Sequence, residues 1–335
     1  MNETLLTLGI ESSCDETAVA VLRGTGERLS SLVATQTDLH ARYGGVVPEV
    51  ASRRHADVIR PMVAEALAEA GVGLDDIGLV GATRGPGLVG ALLVGLSYAK
   101  GLAWARNLPL VGVNHLEGHM AAALLAEPEL PMPTLFLLVS GGHTELYLMR
   151  SFGDLLHLGG TRDDAVGEAY DKVAKMLGMG YPGGALVDAA ARRGKAIYDV
   201  PVALPGDNCD FSFSGPKTAV RQIVERGEAS MEDVCASFQK GAVAALVKKT
   251  TVALDRTNPR SLAMVGGVAC NSAARQAMRE LGERRGMPVA IPEPHLCSDN
   301  GLMIAAAAAR KFFAAPSLAA WRNFADLDAD PGWMP

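Results

Sequence analysis

The chain has 335 residues, of which 49% are hydrophobic and 20% charged, and its formal net charge is −6. That length suits two ordinary domains, and the composition describes a globular chain, not a disordered or fibrous one. The acidic balance argues against a protein that coats nucleic acid non-specifically, and no run reaches the roughly 18 apolar residues needed to cross a membrane.

In chain order, LLTLGIE and TAVAVLR are apolar runs of strand character separated by the turn-like S-S-C-D-E, and LSSLVATQ follows Gly24-Thr25-Gly26 as a third strand. A Gly-Gly-Val-Val-Pro loop at 44–48 leads into a helix expected to reach about Ala70 and to stop at Gly71-Val72-Gly73. Strand IGLVGAT, the turn Arg84-Gly85-Pro86-Gly87, a small-residue helix from Leu88 to about Arg106 and strand LPLVGV complete this pattern.

The pattern then restarts. PTLFLLVS and TELYLMR flank Gly141-Gly142-His143, another strand falls near 155–160, and helices begin near Ala165, Ala185, Lys217 and Met231. Strand SLAMVG, a helix from Asn271, a short strand at VAI and an alanine-rich helix over 301–313 follow. The run Ala305–Ala309 predicts close helix packing, and the stretch with Pro331, Gly332 and Pro335 reads as a loose tail. Three strands followed by alternating helices and strands, twice over, predict an α/β chain of two related lobes around a cleft. The expected boundaries are 1–120 (with a helical insertion near 45–70), 121–298, and a terminal helix over 299–325 that packs back towards the cleft.

Five scattered cysteines form no C-x-x-C pair, which disfavours a disulfide framework and fits a reducing cytoplasm. The start, MNETLLTLGI, has no basic region ahead of its apolar run, so no signal peptide is expected.

Three polar turns sit beside strands: Glu11–Thr17, Ser140–Thr144 and Gly266–Asn271. Glycine lets backbone approach an anion closely, and successive N–H groups can form an anion-binding nest. The third turn joins a strand to a helix, whose N-terminus suits a phosphate or ribose. Each alone is an ordinary turn, but three in order across a duplicated pattern favour a nucleotide. No G-x-G-x-x-G opens a helix, and Gly178–Gly184 lacks the Lys-Ser/Thr of a P-loop.

His115 and His119 follow a strand at the i, i+4 spacing that stacks two imidazoles on one helix face, as two ligands of one metal require. From spacing alone, a metal and a pair of solvent-facing or capping histidines are equally good readings. Glu117 is two residues beyond His115, about 200° around the helix, so the base of an H-E-x-x-H protease is absent. Asn114 as N-cap with Glu117 three residues on resembles a capping box. A third ligand could come from Asp299 at the start of the last helix, or from Asp163, Asp164 or Asp171.

The motifs form a recognisable ordered set. G-I-E-S-S-C-D-E-T at 9–17, G-G-V-V-P-E-V-A-S-R-R-H at 44–55, N-H-L-E-G-H at 114–119 and L-V-S-G-G-H-T at 138–144 come first. D-D-A-V-G-E-A-Y-D-K at 163–172, F-S-F-S-G-P-K-T at 211–218, G-G-V-A-C-N at 266–271 and S-D-N-G at 298–301 follow. Together they resemble the TsaD family, tRNA threonylcarbamoyltransferases once taken for glycoproteases, with Pro216 and Tyr170 where the family pattern has Leu and Phe.

The resemblance implies the actin- and hexokinase-like (ASKHA) fold, two ribonuclease-H-like lobes around a nucleotide and metal cleft. It implies His115, His119 and Asp299 as ligands of one divalent ion, iron or zinc, with magnesium a candidate companion of the nucleotide. Leu138, Val139, Ser140, Gly141 and Gly142, with Asp171, Gly184, Asp188 and Asn271, match adenylate-binding positions. Asp15 and Glu16 match an acidic turn near the reacting centre, and a role for either as proton acceptor is a hypothesis.

The implied reaction moves a threonylcarbamoyl group from threonylcarbamoyl-AMP to N6 of the adenosine 3′ to the anticodon, in tRNAs reading ANN codons. Implied partners are the tRNA anticodon loop, a TsaB-type paralogue and a TsaE-type ATPase, with the helices near 50–70 and 88–105 as the paralogue's docking face. Arg53, Arg54 and Arg84 are candidates for tRNA contact. Rival readings are a small-molecule kinase on the same fold, a metalloprotease and a non-catalytic nucleotide-binding partner.

Overall fold

The apolar runs that open the chain form an antiparallel meander of β1 (Leu6–Glu11), β2 (Glu16–Arg23) and β3 (Glu27–Thr35). The computed structural model describes residues 4–201, 204, 206–227, 229–314 and 321–335. After the meander come α1 (Thr37–Ala41), α2 (Pro48–Ala70), β4 (Leu79–Gly85), α3 (Val89–Arg106), β5 (Leu110–Asn114) and α4 (His115–Ala126). Helix α2 opens on Pro48, whose fixed φ suits the first turn, and ends at Gly71 with φ of 67°, a left-handed stop that glycine adopts without strain. β4 joins β1 in parallel and β5 joins β4 in parallel, so the sheet order is β3-β2-β1-β4-β5.

A second meander, β6 (Thr134–Val139), β7 (Thr144–Ser151) and β8 (Asp154–Gly160), is followed by α5 (Val166–Met176), α6 (Gly183–Ala191), α7 (Ser214–Glu225) and α8 (Met231–Thr257). β9 (Ser261–Val265), a 3-10 turn Gly267–Cys270, α9 (Ser272–Arg285), β10 (Val289–Ala290) and α10 (Pro294–Cys297) complete it. The order β10-β9-β6-β7-β8 is the first sheet's order read in the other direction, with the same parallel and antiparallel pairings. The pattern of three strands followed by two parallel ones therefore occurs twice, as its recurrence along the sequence suggests.

The chain divides into two compact units, residues 1–128 with 298–335, and residues 129–297. Helix α11 (Gly301–Ala314) thus belongs to the first unit, where its alanine face lies on the sheet. Ala305–Ala309 are all fully buried. A methyl group on Gly9 would come within 2.6 Å of Ala305 N, and one on Gly81 within 2.5 Å of Ala308 Cβ. Small residues on both surfaces let helix and sheet approach to backbone contact, which is what the alanine run predicts.

The segment 321–335 is not the loose tail expected. Asp330 N donates to Arg84 O at 2.9 Å, Arg84 Nε to Asp328 O at 2.8 Å, and Lys100 Nζ to the carbonyls of Ala325 and Leu327 at 2.9 Å each. Phe324, Leu327 and Ala329 pack on the core of the first unit. Proline and glycine go with the lack of regular structure over 323–335, but the apolar side chains there still find a surface to cover. Among the described residues no helix is long and apolar enough to cross a membrane.

Candidate functional site

Strand β5 delivers Asn114 to the start of α4, where its side-chain oxygen accepts from Leu116 N at 2.9 Å and Glu117 N at 3.3 Å. The cap holds the helix start, so His115 and His119 lie on one face. Glu117 does not complete a capping box. Its carboxylate turns to an ion pair with Lys311 of α11, because a buried acid is costly without a cation.

Asp299, just ahead of α11, meets the histidine pair. Its Oδ1 lies 3.5 Å from His115 Nε2 and 3.3 Å from His119 Nε2. Ligand atoms at about 2.1 Å from a tetrahedral ion are about 3.4 Å apart, so both separations suit one bound ion. His119 is 1% exposed, and neither of its ring nitrogens has a hydrogen-bond partner. A buried orphan of this kind is expensive unless a cation takes the lone pair. The residues present fit a divalent metal.

Glu11, at the end of β1, is an unexpected member of the cluster. Fully buried, its Oε2 is 3.1 Å from His115 Nδ1 and accepts from Thr83 Oγ1 at 2.6 Å, while Ser13 N donates to its Oε1. Ser13 Oγ lies 3.2 Å from the same His115 Nδ1. A proton on Nδ1 shared with Glu11 leaves Nε2 free for an ion, the carboxylate–histidine arrangement common behind metal ligands. The visible signal was an acid ending an otherwise apolar strand.

Burial opposes the charge on Glu11, but the adjacent His115 imidazole outweighs it and holds the carboxyl below its ordinary range. For His115, burial alone lowers the value, while Asp299 and Glu11 reverse that and raise it to about 9. Glu16 is pushed up to about 9 by burial, then by the Asp299 and Asp15 carboxylates. Burial and Asp15 likewise push up the Cys14 thiol. Four acids, Glu11, Asp15, Glu16 and Asp299, thus influence one another around two imidazoles, a balance that a bound cation would relieve. His55 of α2 secures the acidic turn, with Nδ1 2.7 Å from Thr17 Oγ1 and Nε2 3.0 Å from Cys14 O.

In the second unit, Leu138 and Val139 are buried at the end of β6, whereas Gly141 and Gly142 are exposed. Added methyl groups on Gly141, Gly142, Gly184 or Gly267 would meet nothing, so each backbone faces open space. Gly266 has φ of 95°, and a methyl there would fall 2.4 Å from Val139 O, so the second and third polar turns pack together only through glycine. Asp171 Oδ1 accepts from Gly183 N at 2.7 Å, and Asp188 Oδ1 accepts from Ser272 Oγ at 2.7 Å. Asn271 caps α9 through Ala274 N at 2.9 Å, while its Nδ2 donates to Gln239 Oε1 at 2.8 Å and Tyr170 Oη at 3.3 Å.

Among the residues expected to bind adenylate, Asp171 is thus tied to the start of α6, Asp188 to the first residue of α9, and Asn271 to Tyr170 of α5. Gln239, in the middle of α8, and Ser272 join them without a motif to mark them. Of the three other acids weighed as metal ligands, Asp171 accepts from Gly183 N, Asp164 accepts from Lys172 Nζ at 2.7 Å and Lys217 Nζ at 2.6 Å, and Asp163 accepts from Phe213 N at 2.8 Å and from Ser212 Oγ. Asp163 and Asp164 both hold the 211–218 segment. Arg53 pairs with Glu49 at 2.8 Å, and Arg84 is engaged by the 321–335 segment.

With known proteins, residues 27–306 match the family described as TsaD, tRNA N6-adenosine threonylcarbamoyltransferase. A tRNA N6-adenosine threonylcarbamoyltransferase of Geobacter sp. (strain M21) is 52% identical over 307 residues, covering 90% of each chain. One of Anaeromyxobacter sp. (strain Fw109-5) is 49% identical over 333 residues, covering 97% of this chain and 98% of the relative. Among solved structures, HypF from T. kodakarensis superimposes with a TM-score of 0.63 at 15% identity, over 93% of this chain and 47% of that one. That likeness shows the fold alone, the actin- and hexokinase-like arrangement of two mixed five-stranded sheets with helices.

Proposed function

Because the chain belongs to the TsaD family of tRNA N6-adenosine threonylcarbamoyltransferases, and transfer of a threonylcarbamoyl group to N6 of a tRNA adenosine is its activity, we propose that His115, His119 and Asp299 hold one divalent ion, iron or zinc, for that transfer. The observation that carries this is His119, a buried imidazole with both nitrogens unpartnered and a carboxylate oxygen 3.3 Å from Nε2. An ion bound there would supply Lewis acidity towards an oxygen of the acyl donor and help orient it.

The other requirements fall on the protein's own residues. An adenine amine is a weak nucleophile, so transfer also needs a stabilised leaving group and an acceptor for the amine proton. We assign proton acceptance to Asp15, or to Glu16 once a bound cation has lowered its carboxyl, in the acidic turn that His55 secures. With threonylcarbamoyl-AMP as donor, the leaving group is AMP. Leu138–Gly142, Asp171, Gly184, Asp188 and Asn271 would hold it, with N–H groups of the open glycines turned to its phosphate.

The acceptor is the adenosine 3′ to the anticodon in tRNAs reading ANN codons. Unpaired loop bases can be recognised by shape and stacking, so a net acidic chain is no obstacle. For a TsaB-type paralogue the candidate face is α3 with α2, where Val89, Leu93 and Trp104 are 54%, 42% and 80% exposed. A TsaE-type ATPase would complete the set. The small-molecule kinase reading is set aside, since the relatives at about half identity are threonylcarbamoyltransferases. Glu117, paired with Lys311, is not available as a protease base.

The test is incorporation of labelled threonine into unmodified tRNA, supplying the purified chain with threonylcarbamoyl-AMP and then with partners. Absence of transfer by a folded chain under every combination refutes the reading. Asp15→Asn and Glu16→Gln are expected to keep adenylate binding and slow transfer, and wild-type rates in both would remove the base role.

A further inference from the structure

Trp333 lies in the segment 323–335, which has no regular secondary structure but is tied into the first unit. Its backbone carbonyl accepts from Asn114 Nδ2 at 2.8 Å. The oxygen of that same amide caps Leu116 N and Glu117 N, immediately at the turn that carries His115. One side chain therefore spans the 321–335 segment and the start of the histidine helix, with its orientation fixed from both ends.

The indole ring makes a second connection. Arg84 Cζ lies 4.9 Å and Lys311 Nζ 5.3 Å from its centroid, both within cation–π range. Lys311 is ion-paired with Glu117, which sits on α4 between the two histidines and is only 8% exposed in its side chain. Lys311 belongs to α11, the helix that begins two residues after Asp299. Arg310 Nη2 adds a bond from α11 to Leu124 O of α4 at 3.2 Å. Trp333 thus touches the cap of the helix bearing two ligands and the cation tying it to the helix that follows the third.

We infer that Trp333 is a positioning residue for the His115, His119 and Asp299 centre, its ring acting through Lys311 while its main-chain carbonyl, present whatever the side chain, anchors the segment to Asn114. Metal coordination tolerates displacements of only about 0.2 Å. The helix that supplies two ligands and the helix that follows the third must therefore be held against each other more tightly than apolar packing of alanine and glycine requires. Trp333 closes the polar end of that helix pair. A packing contact alone would not need its carbonyl to meet the cap residue, nor its ring to cover the cation of a buried ion pair.

This inference rests on the metal reading proposed above, and the experiment separates the two. Zinc affinity is measured by chelator competition on the full wild-type chain, Trp333→Ala and Trp333→Phe, together with thermal melting of each metal-free protein. Trp333→Ala is expected to weaken zinc about tenfold or more, the range seen when support behind a ligand is removed, while the metal-free melting temperature moves little. Trp333→Phe, which keeps an aromatic face over Lys311, should stay near wild type. If Trp333→Ala fails to fold, Trp333→Leu replaces it, keeping bulk without the aromatic face. Unchanged zinc affinity in the folded variant, or an equal loss in Trp333→Phe, overturns the inference and leaves the metal site standing. No zinc binding by the wild type overturns both.

Discussion

The polar cluster around His119 and the one around Asn271 are built on opposite terms. In the first unit, a buried imidazole has no hydrogen-bond partner and carboxylates crowd one another, so Glu16 and His115 are both driven to about 9. In the second, Asn271 uses its oxygen on a helix cap and its amide on Gln239 and Tyr170. The first arrangement leaves buried groups that a cation could satisfy. The second is already satisfied and offers open glycine backbone beside it. A metal site tolerates instability in the empty protein because binding repays it, whereas a nucleotide site can be preorganised from neutral bonds.

The largest effect should come from His119→Leu. Loss of a ligand should weaken metal affinity by more than about 100-fold, beyond the range for residues that only support one. The metal-free protein should be no less stable, and up to about 1 kcal/mol more so, because two unpartnered buried nitrogens disappear. Chelator titration and metal-free denaturant melts check both halves, and a marked loss of metal-free stability would mean that His119 is already satisfied by the protein.

Glu11→Gln comes next. It keeps the shape but removes the charge facing His115 Nδ1, so metal affinity should fall about 10- to 100-fold. Metal titration of that variant tests whether Glu11 supports the centre or merely fills the end of β1.

Gln239→Leu should reverse the pattern. It removes one of two acceptors from the buried Asn271 amide, and should cost about 1–3 kcal/mol in denaturant melts. Adenylate binding should weaken and metal affinity should not change. If metal affinity falls too, the two clusters are not independent.

The smallest effect concerns Asp164. Burial alone would raise its carboxyl, but Lys172 and Lys217 outweigh this and hold it below its ordinary 3.8. A depressed carboxyl stabilises the folded state above its unfolded value and loses that contribution as pH falls through the folded one. Asp164→Asn should therefore cost about 1 kcal/mol or less near pH 7, since its partners are partly solvated. The difference from wild type should shrink as pH falls below 3.8 in melts run down through the acid range.

Much of this was legible in the residue order. The strand and helix alternation, the Gly71 stop, the Asn114 cap and the alanine face of α11 follow from local preferences and from periodicity, which act over a few residues. The i, i+4 spacing of His115 and His119 likewise guarantees a shared helix face. Spacing could not choose Asp299 over Asp163, Asp164 or Asp171, because a carboxylate at a helix start serves equally as a cap. The fold brings Asp299 beside the histidine pair and engages Asp164 with two lysines, Asp163 with the 211–218 segment and Asp171 with Gly183 N.

Gln239 was invisible as a functional residue, and Glu11 showed only as the first residue of a polar turn, for the same reason. A glutamine inside a long helix and an acid ending a strand acquire meaning only from partners more than 30 and 100 positions away. Tyr170 shows this most plainly, since the hydroxyl that departs from the family's Phe pattern bonds Asn271, 101 positions along the chain. The sequence by itself therefore determined the repeated α/β pattern and a helix able to present two imidazoles. Only the tertiary structure decided which acid joins them and which buried groups stay unpaired, because both depend on contacts between residues distant along the chain, which local preferences do not encode.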